Sequence, residues 1–96
     1  MKPLLILILA IGGSAAQAKA YAGHELAGQA QVPLARAQAI ALKARPGQIT
    51  DRELEKEAGG LRWSFDIKSH GKAYEVGVDA RTGIVLENKA EGKNPD

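Results

Sequence analysis

The sequence predicts an α+β domain, with one N-terminal helix packed on a three- to four-stranded antiparallel meander sheet. Two changes of period carry that prediction. Apolar residues recur every three or four positions between Leu34 and Ala44, the spacing of one helix face. From Trp63 to Val78 they alternate with polar ones, the spacing of strands with one buried face. A third observation orders the strands: short turn signals separate them, too short for a crossover helix, so neighbours must pair antiparallel.

Each element can be justified in chain order. Lys2 precedes the apolar run Leu4 to Ile11, and Gly12-Gly13 leads into the small-residue stretch from Ser14 to Ala20. Charge, apolar core and small residues in that order are a secretory signal. Cleavage fits after Ala18 or after Ala20, so residues 1–18 (or 1–20) are expected to be removed. The run of eight is far short of the roughly 20 residues needed to span a bilayer, and no cysteine is available for a lipid anchor. The expected location is therefore the periplasm, with no membrane anchor after cleavage.

Residues 19–31 hold two glycines without a clear period and read as a flexible leader, on which Tyr21 and Leu26 are the side chains able to dock. The domain proper is expected over residues 32–88. Pro33 suits the first turn of a helix, where its missing N–H costs nothing. Leu34, Ala37, Ile40, Ala41 and Ala44 then form a narrow apolar stripe, and Arg45-Pro46-Gly47 ends it.

Gln48 to Glu57 is the first strand. Ile49 and Leu54 are five apart and cannot share one face of a regular strand, so a bulge or bend is expected between them. Gly59-Gly60 is the expected turn. Trp63, Phe65 and Ile67 then face inward while Arg62, Ser64, Asp66 and Lys68 face outward. After the hairpin loop Ser69–Lys72, Tyr74, Val76 and Val78 repeat the pattern, with Glu75, Gly77 and Asp79 on the other side. Ala80–Gly83 turns again, Ile84-Val85-Leu86 begins a short last strand, and residues 89–96 read as a polar tail.

These pieces resemble the PepSY domain, a small module of secreted metallopeptidase propeptides and bacterial envelope proteins. The similarity runs from Ala37 to Glu87: the helix with its Pro46-Gly47 stop, the strand Glu53–Glu57 with Gly59-Gly60, Trp63–Ile67, and above all Tyr74–Ala80 followed by Thr82-Gly83-Ile84-Val85. Trp63, where the family often has tyrosine, and Gly77 inside a strand are departures. The resemblance implies a free-standing exported domain with no catalytic motif to carry over. It implies a regulatory role toward peptidases.

Composition narrows the function classes. Removing residues 1–18 takes away only Lys2 among the charges and leaves 12 basic against 11 acidic residues. With no basic stripe and few aromatics, nucleic acid is not an expected partner. A chain of 76 or 78 residues buries only about 60–65% of its unfolded surface and has no disulfide to help. A regular fold with short turns is therefore expected.

No catalytic constellation is visible. The only histidines, His24 and His70, lie apart in the leader and at a hairpin tip, and zinc needs three or four convergent ligands. Asp79 reads as the opener of a turn, Trp63 as core, and Glu53, Glu55 and Glu57 as one solvated face. No cofactor, no metal and no enzymatic activity are expected.

The expectation is a binding module that modulates a partner, such as a peptidase that it inhibits. The alternative is a metal- or small-ligand-responsive accessory of an envelope signalling system, such as a membrane sensor. The outward set Arg62, Asp66, Lys68 and Glu75 is the candidate partner surface, and an open sheet edge leaves a homodimer open.

Overall fold

The computed structural model describes residues 21–92. The signal segment expected over residues 1–20 and its cleavage points lie outside them. Among the described residues no helix is long and apolar enough to cross a membrane.

One α-helix, α1 (Leu34–Ala44), is followed by four strands: β1 (Gln48–Glu57), β2 (Gly60–Ser69), β3 (Lys72–Asp79) and β4 (Val85–Ala90). They form one antiparallel meander in the order β1-β2-β3-β4. This is the α+β fold read from the two periods.

Helix α1 buries Ala37 and Ala41 completely, with Leu34, Ile40 and Leu42 packed around them. Small residues on that stripe let the helix axis lie close to the sheet. Pro33 stands one position earlier than expected, as the N-cap with ψ of 161°, and its carbonyl accepts from Ala37 N at 2.9 Å. The far end is tied down by side chains. The Asn88 amide donates to Ala44 O at 3.2 Å, and Arg45 lies 3.8 Å over the Tyr74 ring while its Nε donates to Asn88 at 3.1 Å. The Asn88 amide thereby pairs one of the carbonyl oxygens that a helix C-terminus otherwise leaves free, and Arg45 holds Asn88 in place.

On the sheet's inner face Leu54, Trp63, Phe65, Ile67, Val76 and Val78 are all buried. The irregularity demanded by Ile49 and Leu54 is present as a register shift between Ile49 and Asp51. The turn before β2, however, is Ala58-Gly59 rather than Gly59-Gly60. Both residues have positive φ, 50° and 81°. The physical reason is register. The observed pairing sets Leu54 against Trp63 and Glu55 against Arg62. Sliding the two-residue turn by one would move every pair by two, setting Leu54 against Phe65 and Glu57 against Arg62. That keeps the faces but changes every cross-strand partner. The choice of cross-strand partners along β1 and β2, and not the preference for glycine at both turn positions, places the turn.

Two further expectations are corrected. The leader is not loose over residues 21–31: Ala22 forms a parallel bridge with Glu53, Leu54 N donates to Ala22 O at 2.9 Å, and His24–Gln29 is a 3-10 helix. Tyr21 and Leu26 do dock, Tyr21 with its ring 5.5 Å from Trp63. A sequence without period hid this because the segment is held by β1 and not by its own pattern. Likewise β4 begins at Val85 and runs past Lys89 to Ala90, opposite Glu75 and Tyr74, so the tail starts later than expected.

Candidate functional site: the open face of the sheet

Alternation places Asp51, Glu53, Glu55 and Glu57 of β1 on the face away from α1. Arg62, Ser64, Asp66 and Lys68 of β2, Glu75 and Gly77 of β3, and Glu87 and Lys89 of β4 share that face. No described helix covers it. Carboxylates outnumber bases on it, although residues 19–96 carry nearly equal numbers of each.

Arg62 is the hub of one half. Its guanidinium meets Glu87 at 2.8 Å, Glu57 at 3.2 Å and Glu55 at 3.8 Å, and its Nε donates to Ser64 at 3.2 Å. Ser64, itself buried, donates to Glu55 at 2.8 Å. Partial burial works against the charged guanidinium, but the hydrogen bond to Glu87 and the charges of Glu57, Glu87 and Glu55 outweigh it and raise its pKa further. Glu87 is held below the ordinary glutamate value, chiefly by the bond from Arg62. A side chain so engaged, with 12% of its surface exposed, organises the face from within.

The other half lacks such compensation. Asp66 stands opposite Glu75 on one side and Asp51 on the other. With Glu53 and Ser64 they line a small dimple of about 90 Å³. The Glu75 carboxyl is pushed above 4.5 by burial and by Glu87, with Arg62 pulling the other way. Glu53 is pushed up as well, by burial, Glu55 and Asp51. At the end of β4, Glu91 is raised by its hydrogen bond and charge interaction with Asp66. Among the described residues no salt bridge reaches Asp51, Glu53, Asp66 or Glu75. Lys89 stands opposite Glu75 in register but pairs with Glu87 at 3.2 Å.

Of the four surface residues read from the sequence, Asp66 and Glu75 face each other directly. Arg62 is drawn into its own network, and Lys68 stands exposed at the far end opposite Ala73. Glu53, Glu55 and Glu57 do share one face, as expected. Asp51, Glu87 and Glu91 were missed. Asp51 extends the alternation of the other acids along β1, so the pattern was there to be read. Glu87 and Glu91 depended on the true length of β4.

The remaining candidates take structural places. Trp63 is 1% exposed and its Nε1 donates to Val32 O at 2.8 Å. Asp79 accepts from Arg81 N at 2.7 Å and Thr82 N at 3.1 Å, which holds its carboxyl below the usual value, and Gly83 takes φ of 84°. His70 occupies a left-handed turn position with φ of 52°. Among the described residues no three His, Asp or Glu side chains converge as a set able to hold a metal ion.

A small helix over one side of a meander sheet, with the other side open and charged, defines a two-layer domain of the α+β class. Its residues 31–89 match the sequence profile of the PepSY family, described as the peptidase propeptide and YPEB domain. That span is more than half of the chain, and the protein belongs to the PepSY family. Comparisons with curated proteins and with solved structures give no significant match.

Proposed function

We propose that this PepSY domain is an exported, non-catalytic regulator that grips a partner protein with the open face of its sheet. Its partner class is a peptidase, which it restrains by binding. The observation that supports this reading most is the face itself: four strands wide, uncovered by any described element and carrying uncompensated carboxylates around Asp66 and Glu75. Such a face suits a basic partner surface, because complementary charge steers encounter and rejects acidic competitors. The family's description as a peptidase propeptide domain supports the partner class, and the signal-like order of residues 1–20 supports export to the periplasm.

The test is a crosslinked pull-down of the tagged chain from envelope extract, beside an Asp66→Lys, Glu75→Lys double variant checked for folding by circular dichroism. Retention of a peptidase by the native chain, loss of it by the variant, and slower turnover by that peptidase when the native chain is added are expected. Identical capture by both proteins would remove the open face from the proposal. Capture without any effect on turnover would remove the peptidase role.

A further inference from the structure

The two edges of the sheet are treated differently by the fold. The β1 edge is partly covered by the leader, through the Ala22–Glu53 bridge and the 3-10 helix. The β4 edge has no strand beside it among the described residues, and Val85, Leu86, Asn88, Lys89 and Ala90 are all exposed. Uncovered edges are templates for another strand.

The direction of the free backbone groups on β4 follows from its pairing. Glu91 N donates to Ala73 O at 2.9 Å, in register with Tyr74 opposite Ala90 and Glu75 opposite Lys89. Antiparallel partners alternate between hydrogen-bonded and non-bonded pairs. Glu87, Lys89 and Glu91 therefore turn their N–H and C=O toward β3, and Asn88 and Ala90 turn theirs outward.

We propose that a second copy of this chain pairs on that edge, β4 against β4 antiparallel, with the two-fold axis at Asn88. Asn88 then exchanges both backbone hydrogen bonds with its counterpart, and Leu86 comes opposite Ala90. Glu87 of each copy stands opposite Lys89 of the other in the non-bonded pairs, where side chains approach most closely. Charge selects this register over its neighbours. Moving the axis to Glu87 sets the two Glu87 side chains against each other. Moving it to Lys89 sets lysine against lysine and Glu87 against Glu91. Like charges directly opposite are unfavourable, so of these three only the Asn88-centred pairing is self-complementary. Its product is a continuous eight-stranded sheet, with both open faces on one side and a closed two-fold assembly.

The inference stands apart from the partner reading, because it uses the edge of the sheet and leaves Asp66 and Glu75 free. The test is sedimentation equilibrium on residues 19–96, which contain every described residue, over concentrations up to roughly 1 mM. A concentration-dependent dimer is expected, weakened about tenfold or more by Lys89→Glu, which turns both cross-strand pairs repulsive. Lys89 is exposed but bridges Glu87 of its own chain at 3.2 Å, so the folding of the variant is checked by circular dichroism and thermal unfolding. The chain has no cysteine, which allows a second measurement. Asn88→Cys should form an intermolecular disulfide under mild oxidation much faster than Ala35→Cys on the exposed side of α1, since bonded antiparallel pairs hold Cα atoms about 5.5 Å apart. A monomer throughout the range, a dimer indifferent to Lys89→Glu, or equal crosslinking at residues 88 and 35 would each overturn the proposal.

Discussion

The guanidinium of Arg62 lies directly over the α-carbon of Gly77 on the neighbouring strand, and from there it reaches Glu87 on the strand beyond. A β-carbon at residue 77 would collide with its Nη2 and Cζ atoms. Glycine weakens a strand in general, and here it is required because another side chain occupies the space. The departure at Gly77 and the charge network around Arg62 are one feature.

Replacing Gly77 should therefore unseat Arg62. Gly77→Val is expected to lower stability by about 1–3 kcal/mol, the usual range for overpacking, measured by urea unfolding. In an Arg62→Ala background the same change should cost much less, because the space is empty. Equal losses in both backgrounds would separate the glycine from the arginine.

The turn Ala58-Gly59 offers a gain. Ala58 is held at φ of 50°, a region costing a non-glycine residue about 1–2 kcal/mol. Ala58→Gly, or Ala58→Asn, which suits this turn type, is expected to stabilise the protein by roughly 0.5–1 kcal/mol. Thermal unfolding would show it as a rise in Tm. A fall would mean that Ala58 makes contacts worth more than its backbone strain.

Acidity should act in two opposed ways. Glu53 and Glu75 have raised pKa values in the fold, so the folded state holds their protons more tightly than the unfolded chain. Their favourable contribution is present below about 4.5, the unfolded value, and is lost as pH rises through their folded values. Glu75→Gln should then raise Tm at pH 7, and this gain should disappear on acidification below that value. Asp79 runs the other way. Its contribution is present above 3.8 and is lost as pH falls through its lower folded value. The destabilisation caused by Asp79→Asn should thus vanish only in stronger acid.

The docked leader can be released at one residue. Gly23 has φ of 87°, and a β-carbon there would run into the Leu54 carbonyl. In Gly23→Ala the Leu54 amide, which donates to Ala22 O, should lose protection in hydrogen exchange while the β2 and β3 amides keep theirs. Unchanged protection at Leu54 would mean that the docking of Tyr21 and Leu26 is enough to keep the leader, and its bond to Leu54, in place.

The legible parts of this fold were those with a period. The helix, the inner faces of β2 and β3, and even the bulge between Ile49 and Asp51 follow from where apolar residues fall. Asp79 and Gly83 were equally readable, because turn chemistry is local. The leader, the Ala58-Gly59 turn and the reach of β4 were not, since each is settled by a partner distant in sequence: Glu53 for Ala22, Trp63 for Leu54, Tyr74 for Ala90. The site was legible to the same extent. The face of Asp66 and Glu75 came from alternation, while the capture of Arg62 by Glu87 required knowing that β4 continues.

The meander order has a kinetic consequence. Every strand pairs with its immediate successor, two of the connections being two-residue turns, and sheets of such near neighbours fold fast for their class because little loop entropy is lost before contacts form. The long-distance ties, Trp63 to Val32 and Leu54 to Ala22, join the sheet to the segments that precede it in the chain. The hairpins can therefore form one after another from local contacts, without loop closure to the N-terminal segment.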